Sequence, residues 1–449
     1  MDFAQFSAAA AAYAHENGIS DYQLYYQADS SDQFSVFSGE IDRMSSAQVE
    51  GVSLCCIVNG KKGIASTEAF TEEEIPVLFQ HAMEAAEFSG DETQETLYTG
   101  GDYQQTECHK AEMSDAAAVK ERLMSVEQIG LNADQRVQKG LMAGISNITS
   151  RRAISNSAGL YLESEGSMSV FSVNVVAQDA DGKKYNDHAI DAKADSSEMD
   201  IEKLVGRAVE KTVAQIGAAP VPSGHYPVIF DHSQMTAMLE IFSSVFSASQ
   251  VQDGLSLLGG KTGQKIASEA VTLVDDPFYP DNFFPCAFDA EGVPTQTKTV
   301  IENGVLKQLL YDRVAARKDG VESTGNAYRS SYDAPVTIAP FTFYMKPGSL
   351  TPEQLMQKAD KAVMITFMKG AHAGANPVTG DFSLESKGFL IEGGKIVRAV
   401  EEITIAGNFF QMLKDITDVA NDLTVNTEDG ISCCGAPTVL VSDLAVAGC

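Results

Sequence analysis

The segment AAPVPSGHYPVIFDH, residues 218–232, marks the point at which the character of this chain changes. Pro220, Pro222 and Gly224 interrupt the helical pattern before it, and the apolar run that follows is typical of a buried strand. A chain of 449 residues is also longer than one hydrophobic core usually supports. We therefore predict two domains, over residues 1–220 and 221–449.

The part before this segment mixes helical and strand patterns. An alanine-rich helix ends at Asn17-Gly18, and Asn59-Gly60 lies between two alternating stretches, as in a β-hairpin. A long β region covers about residues 137–194, and a helix follows over about 198–217. These patterns predict an N-terminal α/β domain with an antiparallel sheet and helices.

After the segment, strand and turn signals dominate. One helix is predicted over about 232–248, and IENGVLKQLLYD (301–312) and IEGGKIVRAVEEITIAGN (391–408) each have the pattern of a hairpin or its arm. The last apolar stretch, TVLVSDLAVAG, is another strand. The whole chain is therefore predicted to be α+β, with a β-rich, barrel-like C-terminal domain.

The composition excludes several classes of function. The chain has 32 basic and 62 acidic side chains, a net charge of −30, and no run rich in Lys or Arg. Direct binding to nucleic acid is not expected from such a balance. No stretch reaches the roughly 18–20 apolar residues of a membrane span. Seven cysteines, among them the adjacent pairs Cys55-Cys56 and Cys433-Cys434, form a poor disulfide framework, which predicts free thiols and a cytoplasmic location.

The familiar catalytic motifs are also absent from the sequence. None of the seven histidines forms an H-x-x-x-H pair, and no C-x-x-C or G-x-S-x-G occurs. Cysteine–histidine chemistry stays open, because Cys433, Cys434 and His372 could meet in the fold. The composition favours the alternative of small, buried and unreactive thiols.

The loop GAHAGANPVTGDFS, residues 370–383, is rich in small and turn-forming residues around His372. Asn376-Pro377 and Thr379-Gly380-Asp381 each encode a turn. Such a loop can bring backbone close to a bound extended peptide, or can simply reverse the chain. Composition alone slightly favours the structural alternative.

Several segments together resemble the TldD/PmbA family, whose members were once labelled modulators of DNA gyrase. They are VTLVDDP (271–277), FDAEGVPTQTKTVIENGVLKQLLYD (288–312), STGNAYR (323–329), NPVTGDFS (376–383), ITIAGNFFQMLKDI (403–416) and the tail GAPTVLVSDLAVAG. The resemblance covers the C-terminal half in order. It implies the TldD/PmbA fold and a role in the proteolysis and maturation of unfolded peptides.

The family has two branches, and the resemblance places this chain in the second. TldD-like members carry a zinc-binding H-E-x-x-x-H helix, whereas TldE-like members, also called PmbA, lack it and pair with TldD. The corresponding positions here run from Leu239 to Ser244, so Glu240 is retained but both imidazoles are replaced. Leucine has no lone pair and a serine hydroxyl is a poor zinc ligand. The family's cysteine ligand maps near Cys433 and Cys434, but one thiolate alone makes no site.

The resemblance also suggests roles for other residues. His372, Asn376, Thr379, Gly380 and Asp381 are expected to line the peptide cleft or the partner interface, with His372 contributing hydrogen bonding or shape. We expect a surface or capping role for Glu240.

Arg329 could bind a peptide carboxylate or form a structural ion pair, and the ion pair is favoured.

The leading hypothesis is a subunit without its own zinc, paired with a TldD-like zinc peptidase that acts on unfolded peptides. Whether this chain is itself an enzyme is open at this stage. One alternative is a peptidase that uses Cys433 or Cys434 with His372. The other is a stand-alone homodimer that binds peptides or acts as a scaffold.

Overall fold

The computed structural model describes residues 1–89, 96–106, 116–427 and 430–449. Cys108 and His109, counted above, lie outside the described residues. The elements of the N-terminal part are α1 (Phe3–Glu16), β1 (Tyr22–Phe37), β2 (Glu40–Val58), β3 (Lys61–Thr67), α2 (Glu74–Phe88), α3 (Ala116–Ala133), β4 (Met142–Asn156), β5 (Tyr161–Gln178), β6 (Lys184–Lys193) and α4 (Ile201–Ala214).

The C-terminal part begins with β7 (Gly224–Phe230) and α5 (His232–Phe242). It continues with α6 (Ala248–Gln252), β8 (Leu273–Asp275), β9 (Lys298–Glu302), β10 (Val305–Leu306), α7 (Arg313–Asp319), β11 (Ala327–Tyr328), β12 (Thr337–Ile338), β13 (Phe343–Met345), α8 (Pro352–Ala359), β14 (Lys361–Lys369), α9 (Ala371–Gly374), β15 (Asp381–Glu392), β16 (Lys395–Asn408), α10 (Phe409–Asp415), β17 (Ile416–Val419), β18 (Thr424–Thr427), β19 (Gly430–Ala436) and β20 (Val439–Ala447).

The N-terminal strands form one antiparallel sheet in the order β3-β2-β1-β4-β5-β6. Because side chains alternate between the two faces of a strand, Leu24 and Tyr26 pack under α1 and α2, while Tyr25 faces the C-terminal part. Helices α3 and α4 cover the same face of the sheet farther along it. The opposite face is thereby left for contact with the other domain.

The C-terminal domain contains a closed barrel. Strands β16, β15, β14, β7 and β20 are neighbours in that order, and a pairing of β16 with β20 closes the ring. Val228 and Phe230 point into the main core, whereas Ile229 between them packs on the outer side with Leu355 of α8. The predicted α+β architecture, with an antiparallel N-terminal sheet and a barrel-like C-terminal domain, is confirmed.

A second sheet lies beside the barrel, in the order β10-β9-β8-β13-β19-β18. Helix α5 contacts β19 and β18 of this sheet and β14 and β7 of the barrel. It is therefore packed between the two sheets. Helix α5 is shorter than the predicted 232–248 helix, because the chain tightens into a 3-10 turn from Ser243 to Phe246. The Ser243 hydroxyl donates to the Glu240 carbonyl, 3.0 Å away, in this last turn.

Several hydrogen bonds tie the linker between the domains to β16 and to the end of the chain after β20. Arg398 donates from Nη1 to the Ala219 carbonyl, 2.5 Å away, and from Nη2 to the Pro220 carbonyl, 2.9 Å away. Lys183 of the N-terminal part forms an ion pair with Glu401 of β16. The proposed boundary at residue 220 falls in the linker between α4 and β7 and stays a prediction.

None of the helices in the described ranges is long and apolar enough to cross a membrane.

The loop of residues 370–383 joins β14 to β15 and is closed by its own hydrogen bonds. Asn376 Oδ1 accepts from the backbone N–H of Val378 at 3.0 Å, and the Gly380 N–H donates to the Asn376 carbonyl at 2.8 Å. Asn408, at the end of β16, donates to the Thr379 carbonyl at 2.8 Å. Gly380 has φ of +82°, and a Cβ there would lie 2.6 Å from the Phe410 ring.

We expect Gly380→Ala to destabilise the protein by about 2–4 kcal/mol, because it adds a steric clash to an unfavourable backbone conformation. Gly370→Ala is the matched control, since Gly370 has φ of +85° but open space around its Cα. It should cost only about 1 kcal/mol, the backbone contribution alone. Thermal unfolding of both variants measures the difference, and equal midpoints would contradict the proposed packing of this turn on Phe410.

Candidate functional site

Helix α5 begins with a side-chain cap and buries most of its surface. Asp231 Oδ1 accepts from the backbone N–H of Gln234 at 2.8 Å, which satisfies one of the free donors of the first turn. Leu239 is 0% exposed, whereas Glu240 and Ser244 are exposed. Of the three positions matched to the metal motif, one therefore belongs to the hydrophobic core and two face outward.

Strand β19 lies against α5 and carries the two adjacent cysteines. Cys433 is exposed and Cys434 is buried. A hydrogen bond from the Cys434 thiol lowers the pKa of Cys433, although burial and the nearby carboxylates Glu240 and Asp275 act in the opposite direction. Glu240 and Cys433 therefore lie near enough to interact electrostatically.

The donor set at this place is small. No group of three or more His, Cys, Asp or Glu side chains with the geometry to hold a metal ion occurs within the ranges that the structure describes. Structural zinc sites use four protein ligands and catalytic sites three. Glu240 and Cys433 would need donors beyond those found in the described ranges to form such a site.

A buried polar network that the sequence did not reveal supports β8, which is two strands from β19 in the second sheet. Lys298 Nζ is 3.0 Å from Asp275 Oδ2 and 2.9 Å from Asn326 Oδ1. Asn326 donates to Asp275 at 2.7 Å and accepts from Thr324 at 2.7 Å. The segments VTLVDDP and STGNAYR both contain polar residues of this network. Nothing in the sequence indicated that the two segments are in contact. The network fixes β8 and the loop that carries Asn326 in one arrangement.

A cleft of about 340 Å³ lies between the two domains, at the N-terminal end of α5. It is lined by Asp187, Glu210, Lys211, Ala214, Gln215, Asp231, His232, Ser233, Thr366, Phe367, Lys387, Gly388 and Phe389. Both charge signs are present, so the cleft suits a ligand with donors, acceptors and an apolar part. Glu240 lies eight residues farther along the helix from His232, roughly 12 Å.

Hydrogen bonds order the polar groups around the cleft. His232 Nδ1 is 3.6 Å from Asp422 Oδ2. Burial would raise the pKa of Asp422, but hydrogen bonds from His232 and Thr438 outweigh that effect and lower it. Across the cleft, Lys211 Nζ is 3.5 Å from Asp187. Gln215 Oε1 is buried and has no donor within hydrogen-bonding distance among the described residues.

The loop around His372 reaches the opposite end of α5. The side chains of His372, Asn376, Thr379 and Asp381 are exposed, and Asn408 Nδ2 donates to Asp381 at 2.9 Å. This hydrogen bond holds the pKa of Asp381 below its usual range.

The connection to α5 runs through aromatic rings. Phe409, which follows Asn408, stacks on Phe242 of α5 with 4.4 Å between ring centroids. No hydrogen bond joins His372 to Cys433 or Cys434 in the described part of the chain. The predicted role of the His372 loop in a cleft or a partner interface stays a prediction.

Arg329 lies elsewhere, on the face of the N-terminal sheet that meets the C-terminal domain. It is 4% exposed and donates to Ser53 Oγ at 2.9 Å and to the Tyr332 carbonyl at 3.1 Å. The expected structural ion pair is not found, because no carboxylate of the described residues is within 4.0 Å of this guanidinium. The sequence could not predict these acceptors, because one is a neutral hydroxyl 276 residues away and the other is a backbone carbonyl.

Comparison with known proteins identifies the family. Three domain models of the PmbA/TldA metallopeptidases match consecutive parts of the chain: domain 1 over residues 22–86, the central domain over 109–216 and the C-terminal domain over 223–448. A metalloprotease of Methanothermobacter thermautotrophicus is 28% identical, with 88% of this chain and 86% of that protein aligned. Metalloprotease PmbA of Escherichia coli O157:H7 is 24% identical, over 91% and 88% of the two chains.

Solved structures agree with these relatives. A Thermotoga maritima protein named for a proposed modulation of DNA gyrase superposes with a TM-score of 0.90 and 30% identity, covering 99% of this chain and all of the other. TldE from Thermococcus kodakarensis superposes with a TM-score of 0.86 and 25% identity, over 97% and 100% of the two chains. The fold, the order of the matched domains and the likeness along nearly the whole length lead to one conclusion: the chain belongs to the PmbA/TldD family.

Proposed function

We propose that this chain is the non-catalytic, TldE-like subunit of a two-component metallopeptidase. The observation that carries the proposal is the absence of both imidazoles from the metal-motif positions, which begin on α5 and end in the 3-10 turn after it. Leu239 is part of the main hydrophobic core, and Ser244 offers only a neutral hydroxyl. In this proposal the zinc is bound by a TldD-like partner, and Glu240 has no metal to assist.

The substrate of the complex would be an unfolded peptide bound in extended form. Strand β6 is an edge of the N-terminal sheet, β18 is an edge of the second sheet, and the two lie close together beside the cleft. Edge strands offer main-chain donors and acceptors that pair with any sequence, which suits a peptidase of broad specificity. The narrow space between the domains would exclude folded proteins.

The exposed loop around His372 is proposed to face the partner, because it lies at the end of α5 opposite the cleft. Its turn is rigid, since Asn376, Gly380 and Asn408 close it by hydrogen bonds. A rigid surface loop loses little conformational entropy when it is bound. No disulfide joins the cysteines in the described ranges, which are Cys55, Cys56, Cys286, Cys433, Cys434 and Cys449, and this fits a reducing, cytoplasmic setting for the complex.

The first test is co-purification with a TldD-like subunit. We expect about one zinc ion per heterodimer, close to none on the isolated chain, and cleavage of unfolded peptides by the complex alone. Glu240→Gln in this chain should leave kcat within about twofold. The same change in the H-E-x-x-x-H glutamate of the partner should lower it by about 10²–10⁴-fold. A stable homodimer that binds peptide without zinc would instead support the scaffold alternative.

The cleft can be tested by filling it. Ala214 lines the cleft, so Ala214→Trp should raise the KM of the complex for an unfolded peptide by about tenfold, because the indole takes space that the peptide needs. Ala118→Trp, on the exposed face of α3 and outside the cleft lining, is the matched control. Equal KM values for the two variants would place the peptide elsewhere.

Thiol chemistry provides a third test, because the thiolate is the reactive form of cysteine. The lowered pKa of Cys433 predicts alkylation by iodoacetamide at a lower pH than for a cysteine in an unfolded peptide, whose pKa is about 8.5. Mass spectrometry of the alkylated protein across a pH series gives the rate for each thiol, and buried Cys434 should stay unmodified. We expect Cys433→Ser to leave peptidase activity of the complex within about twofold. Loss of cleavage by the isolated chain on alkylation would favour the cysteine–histidine alternative.

A further inference from the structure

A second, much smaller cavity lies on the seam between the domains, away from the cleft. Its volume is about 10 Å³, and its lining includes Tyr25 of β1 and Arg152 of β4 on one side, and Cys286, Asp289 and Arg329 on the other. A volume of this size accommodates one water molecule or one monoatomic ion. Its walls are unusual because two arginines from different domains face the same small space.

Neither arginine has its donors satisfied. Arg329 uses Nη1 for Ser53 and Tyr332, but its buried Nε has no acceptor among the described residues. The Nε of Arg152 is likewise buried without an acceptor in the described ranges. The guanidinium carbon of Arg329 lies 4.9 Å from the centre of the Tyr25 ring, and that of Arg152 lies 5.9 Å from the Tyr328 ring. Buried donors without partners are rare in proteins and call for an explanation.

The charge of these arginines is not balanced by close carboxylates. Neither guanidinium has a carboxylate oxygen within 4.0 Å in the part of the chain that the structure describes. Asp289 accepts three backbone N–H groups, from Glu291 at 2.9 Å and from Val293 and Ala327 at 3.0 Å each. Burial and the neighbouring Glu291 raise its pKa, which favours the neutral acid.

The other groups near the arginines are also engaged or neutral. Asp29 accepts from Gln27 at 2.7 Å and from Ser150 at 2.6 Å. Burial raises the pKa of Tyr25 to about 12 and raises that of Cys286 as well, so both are uncharged at neutral pH. Glu291 accepts the backbone N–H of Arg313 at 2.8 Å. Buried Arg329 and partly exposed Arg152 therefore both lack a carboxylate in contact with them, which is unfavourable where the cavity excludes bulk water.

We propose that this cavity binds one monovalent anion of halide size, such as chloride, between the guanidinium groups of Arg152 and Arg329. The anion accepts hydrogen bonds from the two Nε–H groups and neutralises charge that water would leave uncompensated. The size of the cavity excludes sulfate, phosphate and carboxylate ligands. Because one arginine comes from each domain, the ion holds β4 of the N-terminal sheet against the C-terminal domain.

The test uses the full chain in sodium chloride and in sodium gluconate at matched ionic strength. Because the ion binds the folded state, the unfolding temperature should rise with chloride by about 2 °C per tenfold increase in concentration, beyond the rise in gluconate. Arg152→Gln should abolish the difference between the two salts. Arg151→Gln, next to it on β4 but paired with Glu163 at the surface, should keep the difference.

Diffraction gives the second readout and does not depend on the variants. Crystals of the unaltered chain grown in bromide should show an anomalous peak between Arg152 and Arg329. The same unfolding midpoint in both salts, with no bromide peak, would overturn the proposal in favour of a water molecule. A peak at molar bromide without any response of stability would mean an adventitious ion only, and would overturn it as well. If Arg152→Gln fails to fold, the salt comparison and the bromide peak in the unaltered chain decide the question.

Discussion

The burial of α5 between the barrel and the second sheet is the constraint on which the rest of this structure depends. Its apolar side reaches into the main core through Met235, Met238, Leu239 and Phe242, so the helix cannot rotate without opening that core. The same packing presents Glu240 beside Cys433. Leu239, at the first position matched to the motif, packs into this core and has no lone pair to offer a metal.

Charge is distributed very unevenly over the molecule. The chain carries a net charge of −30, yet the cationic side chains of Lys298 and Arg329 are buried. Lys298 is compensated by Asp275 and Asn326, whereas Arg329 donates only to neutral oxygens. The surplus of carboxylates lies largely at the surface, where water solvates it. Buried Arg329 therefore depends on local partners and gains little from the overall acidity.

Much of the architecture could be predicted from local patterns. Asn17-Gly18 ends α1, and Asn59 and Gly60, with φ of +54° and +77°, form the turn between β2 and β3. These features are encoded by residues that are adjacent in the sequence, so they can be predicted without knowledge of tertiary contacts. The division of the predicted 232–248 helix was missed because Ser243 can continue a helix as well as tighten its last turn.

The candidate site was less accessible to sequence reasoning. The resemblance located Leu239, Glu240 and Ser244, and it also led to Cys433, although nearly two hundred residues separate them. It could not show that Leu239 is a core residue or that Arg329 lacks a carboxylate, since both depend on tertiary neighbours. The Asp275–Lys298–Asn326 network and the interdomain cleft join segments far apart in the chain. No pattern along the sequence predicts them, because the residues acquire partners only when the sheets assemble.

The closure of the barrel has a consequence for biosynthesis. Strand β7 pairs with β20, which lies more than two hundred residues later in the chain, and β20 also pairs with β16. The ring therefore cannot close until the last strand has left the ribosome, whereas the six-stranded N-terminal sheet can form much earlier. During that interval the hydrogen-bonding edge of β7 stays open to other nascent chains. The rate of translation and the availability of chaperones thus bear directly on the yield of folded protein.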